Sequence, residues 1–204
     1  MSALAGTEGM NAPSPAQSAI EDQDAPLLVR IADGDASAFR ALVNRHADRL
    51  LGFAQRLVGD LALAEDIVQD SFLAVWRTAP SWSPKAKVST WLYRITRNKA
   101  LDHLRKRRPT VDPDDVVLVD GSDGADRTID RRQTGNTVRA ALDALPERQR
   151  AAIVLVHYEL LSGAEASDAL EISVEALESL LARGRRALRA ALAEQRDDLM
   201  GDLT

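Results

Sequence analysis

Residues 162–192 read SGAEASDALEISVEALESLLARGRRALRAAL, and two helix starts stand in that stretch. Ser162 with Glu165 three residues on has the spacing of a capping box, in which the serine caps the helix and the glutamate bonds back to it. The first helix is predicted to end at Leu170. A three-residue turn, Glu171-Ile172-Ser173, follows, and Ser173 caps a second helix carried by Leu177, Leu180, Leu181 and Leu188. Two helices joined by a tight turn, the second one long, form the layout of a helix-turn-helix, whose second helix enters the DNA major groove. Two antiparallel helices of a plain bundle give the same spacing, and this turn lacks the usual glycine. Glu175 and Glu178 near the start of the second helix suit the helix dipole but repel phosphate. Arg183, Arg185, Arg186 and Arg189 follow in its second half, so phosphate contacts are expected there, with Ser173, Ala176 and Ser179 near base edges. The plainer reading is that these arginines complement the helix C-terminus.

Working outward, helical periodicity runs from Thr137 to about Ala193 and breaks at Pro146, at 161–162 and at 171–173, which predicts four helices. Upstream of it, Pro109 to Asn136 holds seven aspartates with Pro, Gly and Ser around a short apolar stretch, Val116 to Val119, and reads as an acidic linker. From Leu27 to Arg108 apolar residues again recur at threes and fours. Helices are expected at about 26–33, 36–58, 61–77 and 87–107, with a loop from Thr78 to Ala86 marked by Pro80 and Pro84. Residues 1–24, acidic and without apolar period, read as a disordered tail, and 197–204 as a short second tail. The fold class is therefore all-α: two small helical domains, 25–108 and 137–196, joined by a flexible acidic linker over 109–136, the C-terminal one a helix-turn-helix. No alternation at period two and no internal repeat is found.

With 204 residues and 45% hydrophobic content the chain is long and apolar enough to bury a core. It contains no cysteine, which excludes disulfides, thiolate metal sites and a cysteine nucleophile and suits a reducing compartment. No apolar run approaches the roughly 18 residues of a membrane span, and the start lacks the pattern of a signal peptide. A soluble, cytoplasmic protein with no membrane insertion is expected. Net charge is −5, but it is unevenly spread: −4 over 1–24, +7 over 25–108, −4 over 109–136 and −4 over 137–204. Nine bases between Lys85 and Arg108 face Asp102 alone. Such a run is either a solvated face or an electrostatic footprint for nucleic acid.

Two faces carry chemistry. On the helix from Leu61 to Arg77, the residues Asp66, Gln69, Asp70, Leu73 and Arg77 step by threes and fours and share one side. Two acids, an amide and a leucine there suit docking onto a basic helix, although a solvated stripe has the same look. On the next helix Val88, Leu92 and Ile95 make an inward stripe, while Arg94, Arg97, Arg105 and Arg108 gather on another side. Leu101 and Leu104 fall among those arginines, so part of that side is expected to pack. Trp82, Trp91 and Tyr93 interleave with the bases, and aromatics beside cations suit single-stranded or unstacked nucleic acid. A tryptophan beside a helix start is equally a core residue.

Together these stretches resemble the extracytoplasmic-function sigma factors, the small two-domain initiation factors of bacterial RNA polymerase. The likeness covers most of 27–192 and rests on Ala38-Phe-Arg-Ala-Leu-Val43, on Ala64-Glu-Asp-Ile-Val-Gln-Asp-Ser-Phe-Leu-Ala-Val-Trp-Arg77, on Thr90-Trp-Leu-Tyr-Arg-Ile-Thr-Arg-Asn-Lys-Ala-Leu-Asp-His-Leu-Arg105, and on Leu145-Pro-Glu-Arg-Gln-Arg150 leading into the helix-turn-helix. The resemblance implies that Asp66, Gln69, Asp70, Leu73 and Arg77 dock on core RNA polymerase. It implies that the loop 78–86 and the helix beside it open the minus-ten promoter element, through Trp82, Ser83, Lys85, Lys87, Trp91, Tyr93, Arg94, Arg97, Asn98, Lys99, Asp102 and Arg105. It implies that Ser173, Glu175, Ala176, Glu178, Ser179, Arg183, Arg185 and Arg186 meet the minus-thirty-five element, that the acidic linker threads the polymerase cleft, and that an anti-sigma factor controls the protein. Departures fall in the helix-turn-helix: Ala166-Ser167 where the family often has Ile-Ala, Glu171 where a glycine is common, Leu180 where a base is common, and Arg183-Gly184-Arg185 for Arg-Ala-Arg.

No catalytic residues, cofactor or metal are expected: the chain has no phosphate-binding glycine loop, and His46, His103 and His157 are scattered and read as structural or surface residues. The competing readings are a sigma-like decoy that sequesters an anti-sigma factor, and an ordinary helix-turn-helix regulator. A decoy is expected to lose the basic helix, and a plain regulator leaves the acidic face of 61–77 unexplained. A 28-residue linker permits an extended or a compact arrangement, and compact packing is expected to hide both DNA faces.

Overall fold

A computed structural model describes residues 22–107 and 131–201, with side chains over 22–106 and 137–193. The expected tail up to residue 21, Arg108 with the linker over 109–130, and residues 202–204 lie outside the described residues. The first half is four helices: α1 (Ala25–Ala32), α2 (Ala36–Val58), α3 (Leu61–Thr78) and α4 (Val88–Arg107), with a 3₁₀ turn at Ala79–Ser81 inside the proline-marked loop. The second half is α5 (Arg131–Asp143), α6 (Glu147–Ile153) widening into a π-turn at Val154–Tyr158, α7 (Gly163–Leu170) and α8 (Val174–Gly201).

Local chemistry sets the ends. Asp35 accepts from the amides of Ser37 and Ala38 to start α2, which Gly59 closes in the left-handed conformation at φ 75°; Asp60 then caps α3 through Leu63. The Ser162–Glu165 capping box forms as its spacing predicted. Glu171 takes the glycine-like C-cap position of α7, at φ 56° and ψ 43°. Phe53, Leu42, Leu50, Ile67, Val75 and Leu92 are sealed in the first half, and Phe39 meets Trp76 edge-on at 5.1 Å. Val154, Leu155, Ala166, Ala169 and Leu177 do the same in the second.

Three boundaries depart from the sequence reading. The tail expected over 1–24 ends earlier: Asp22 accepts from the backbone N–H of Val88 at the start of α4, and buried Asp24 pairs with Arg45 and, at 2.7 Å, with His46 Nε2. The linker expected to reach 136 gives way to helix at Arg131, where α5 runs back from the packed residues Val138, Ala141 and Leu142. The tail expected over 197–204 is helical to Gly201, as a continuation of α8.

The two halves pack against each other into one continuous core. The C-terminal end of α2 carries carbonyls without helical partners, and arginines from the second half supply donors: Arg150 Nη1 to Leu57 O at 2.7 Å and Arg139 Nη2 to Gly59 O at 2.6 Å. The π-turn adds a residue to the winding of α6, with Glu159 N bonding Val154 O at 3.0 Å. It delivers Glu159 into the seam, 6% exposed, where its carboxylate accepts from Tyr93 Oη at 2.6 Å and faces Arg56 at 3.6 Å and Arg49 at 3.9 Å. α7 lies across α4 in the same closed arrangement.

Candidate nucleic-acid interface

The loop 78–86 and one side of α4 enclose an open cleft of about 600 Å³. Trp82, Ser83 and Lys85 come from the loop, Trp91, Arg94 and Asn98 from α4, and Thr78 and Thr90 add hydroxyls. Pro80 and Pro84 cannot extend α3 as a regular helix, so the chain leaves it through the 3₁₀ turn and holds Trp82 half-buried against the core. Aromatic planes, amide, hydroxyl and cations thus meet in one concavity, which suits an unstacked base with its phosphate.

The other expected residues of this set divide. Lys87, at the foot of α4, makes an ion pair with Glu165 of α7 at 2.8 Å. The hydrogen bond that Lys87 donates to Glu165 raises the Lys87 pKa, while burial pushes Glu165 up and the bonds from Lys87 and Ser162 outweigh it. Arg97 is half-buried, and loss of solvent lowers its pKa. Lys99 is half-buried, and Asp102 and Arg105 are exposed farther along α4. Tyr93 is not in the cleft. It is 4% exposed, stacks edge-on with Phe53 at 5.1 Å and donates to Glu159, and burial followed by that bond raises its pKa. Trp91 lines the cleft with an edge while most of it is buried, so both readings of its sequence position hold at once. The inward stripe Val88, Leu92 and Ile95 is too narrow: Thr90, Thr96 and Ala100 are buried as well, because α4 is packed on two sides, and Ile95 lines the cleft.

A second surface is on α3. Asp66, Gln69, Leu73 and Arg77 are exposed, and Leu73 is 46% exposed despite its apolar side chain. Asp70, on the same side, faces His103 Nε2 of α4 at 3.2 Å. The buried side of α3 is Ala64, Ile67, Val68, Ser71, Phe72 and Val75, so the amphipathic division follows the spacing in the sequence.

The third surface is α8. Ser173, Glu175, Ala176, Glu178, Ser179, Arg183, Arg185 and Arg186 are all exposed. Ser173 Oγ accepts from Ala176 N at 3.2 Å, the cap its position predicted, and Glu175 is held below the usual carboxylate range by its own backbone N–H and the Ser173 hydroxyl. Arg183 donates back to Ser179 O, and Arg185 reaches His157. Gly184 between them is buried: a Cβ there would stand 3.1 Å from Ile153, so the Arg-Gly-Arg departure marks close passage of α8 over α6. Among the described residues, the closed arrangement therefore leaves this face open, in contrast to the expectation that compact packing hides both DNA faces.

Sequence reasoning missed the partners of these groups. Glu165, Asp168 and Glu171 were legible as acids three residues apart, but Glu165 was assigned to its cap alone. Asp24, in a polar stretch, and Glu159, a lone acid in the apolar run 151–161, gave no sign of their partners, which lie far along the chain.

Comparison with known proteins adds two matching family models: Sigma-70 region 2 over residues 42–110 and Sigma-70, region 4 over 136–188. The chain is 35% identical over 86% of its length to ECF RNA polymerase sigma factor SigE of Mycolicibacterium smegmatis, covering 71% of that protein. It is 30% identical over 82% of its length to ECF RNA polymerase sigma factor SigW of Bacillus subtilis, covering 95% of that protein. Among solved structures it is similar to CnrH in complex with the cytosolic domain of CnrY, at TM-score 0.66 and 30% identity over 85% of this chain and 99% of the other. The fold is also that of the sigma factor RpoE of Bartonella quintana, solved with the anti-sigma factor NepR, at TM-score 0.59 and 23% identity over 76% and 96% of the two chains.

Proposed function

The chain belongs to the extracytoplasmic-function sigma factors, and from that premise we propose that it binds core RNA polymerase and directs initiation at a particular set of promoters. The N-terminal half reads and opens the minus-ten element and the helix-turn-helix reads the minus-thirty-five element. The observation that carries the reading is the cleft between the loop 78–86 and α4, which joins Trp82, Trp91, Asn98 and Arg94 around a space fit for an extruded base. Opening a duplex costs a few kcal/mol per flipped base, and capture of the unstacked strand by aromatic faces and cations offsets that cost.

Polymerase docking is assigned to Asp66, Gln69, Asp70, Leu73 and Arg77, where an exposed leucine on the same side as two acids fits a basic, partly apolar helix. On α8 the arginines after residue 182 take phosphates, while Ser173, Ala176 and Ser179 approach base edges with Glu175 and Glu178 excluding close phosphate. Phosphoryl transfer is left to the polymerase. Control by an anti-sigma factor belongs to the same proposal, supported by the likeness to CnrH held by the cytosolic domain of CnrY. The basic helix α4 and its cleft favour an active factor over a decoy.

Charge reversal tests it. Asp66→Lys with Asp70→Lys is expected to lower affinity for purified core polymerase by at least about tenfold, on the scale of coupled charges at an interface, while the far-UV spectrum stays helical. Unchanged polymerase affinity would remove α3 from the docking surface, and no affinity in the parent protein would remove the sigma-factor reading itself.

A further inference from the structure

The acids on α7 and at its C-cap meet cations in and beside the cleft. Glu165 Oε1 is 2.8 Å from Lys87 Nζ, Glu171 Oε1 is 3.9 Å from Arg94 Nη1, and Asp168, between them, lines the cleft itself. The three stand three residues apart and so share one side of the element. Glu165 and Glu171 stand where a strand of nucleic acid would bring phosphates to the same lysine and arginine, and Asp168 sets a further negative charge in the cleft between them. Among the described residues, the outward side of α8 carries no such cover.

We propose that α7 is a built-in nucleic-acid mimic: Asp168 in the single-strand cleft, with Glu165 and Glu171 on the cations beside it, competes with a strand for that site in the closed protein, so that strand binding is coupled to domain opening, while the recognition helix stays accessible. This rests on the cleft being the single-strand site and adds its regulation. The depressed Glu165 and elevated Lys87 pKa values mean that both partners are charged at neutral pH, as mimicry requires. Because the contact is mutual, anything that holds the domains apart raises strand affinity, and a bound strand favours the open form by the same factor. Duplex binding through α8 is independent of it. The free protein is thus able to engage the upstream element before the melting site is released.

The test compares the full chain, the isosteric variant Glu165→Gln/Asp168→Asn/Glu171→Gln, and a control with the same change in charge at exposed positions away from the cleft, Asp33→Asn/Asp48→Asn/Glu65→Gln. Glutamine at 165 retains the acceptor of the capping box. Binding of a short fluorescein-labelled oligothymidylate is read by anisotropy at low salt, and opening is read by acrylamide quenching of tryptophan fluorescence. The α7 variant is expected to bind the strand roughly three- to tenfold more tightly than the control, the scale of a few partly exposed charge pairs. Its quenching rises, and Arg94→Ala in its background abolishes the gain. Binding of a random-sequence duplex shifts equally in variant and control. Equal strand affinity and equal quenching in variant and control overturn the mimic and leave the cleft's function standing. Raised quenching without a gain in strand affinity, or a gain that survives Arg94→Ala, overturns the cleft as the strand site, and the mimic with it.

Discussion

Replacing Glu159 by alanine opens the seam between the two halves. The carboxylate is 6% exposed and accepts the Tyr93 hydroxyl at 2.6 Å, so its removal leaves a buried phenol without an acceptor, which costs about 1–3 kcal/mol. The arginines contribute less. Arg49 and Arg56 are 60% and 39% exposed at 3.9 and 3.6 Å, and water screens each pair to at most roughly 0.5 kcal/mol. Relief of the buried carboxylate's own desolvation acts in the opposite direction. The net expectation for Glu159→Ala is a loss of about 2 kcal/mol. Glu159→Gln, which keeps an acceptor for Tyr93, loses roughly half as much, and the cycle closed with Tyr93→Phe gives a coupling of about 1–2 kcal/mol. Urea unfolding followed by tryptophan fluorescence reads these values, and small-angle scattering reads the accompanying expansion. A loss for Glu159→Ala within about 0.5 kcal/mol of zero, the range of ordinary surface changes, or a cycle without coupling, refutes the view that Glu159 latches the domains.

Because burial and the Glu159 bond raise the Tyr93 pKa, the neutral hydroxyl belongs to the folded state; its contribution is complete below the unfolded tyrosine value near 10 and is lost as pH rises through the folded one. Stability is therefore expected to fall more steeply above about pH 10 in the parent than in Tyr93→Phe, a difference that unfolding measured across pH checks. Asp24→Ala strips the buried His46 ring and Arg45 of their acceptor and is expected to cost about 2–3 kcal/mol in urea unfolding, although residues 22–24 read as tail. Glu171→Gly relieves a left-handed backbone and is expected to raise the free energy of unfolding, read in urea, by about 0.5–1 kcal/mol after the added freedom of the unfolded chain is subtracted. Gly184→Val forces branched carbons onto Ile153 and is expected to lower stability by at least about 1–3 kcal/mol.

What the sequence made legible was local. The period of apolar residues placed α2 and α3, and Ser162 and Ser173 marked the starts of α7 and α8 because capping involves partners within four residues. The exposed side of α3 and that of α8 followed from the same period. Tyr93 was misplaced because an aromatic among cations looks like a stacking platform, and the residue that claims its hydroxyl, Glu159, stands 66 positions away. α4 misled in a related way: its second buried side holds Thr90 and Thr96, polar residues that do not read as core in an apolar period. Asp22 and Asp24 were read by composition, which contains no information about the α4 N-terminus and the imidazole they engage. The cleft was foreseen by residue identity, but its cover was not, since nothing within α7 says which cations its acids will meet.

In vitro transcription tests the central claim most directly: purified core RNA polymerase and a pool of genomic promoter fragments, with this protein present or absent. Specific transcripts that require the protein, starting downstream of a shared pair of sequence elements, are predicted, and Asp66→Lys/Asp70→Lys abolishes them. Polymerase that binds the protein and starts nothing, or transcripts indifferent to its presence, would contradict the account.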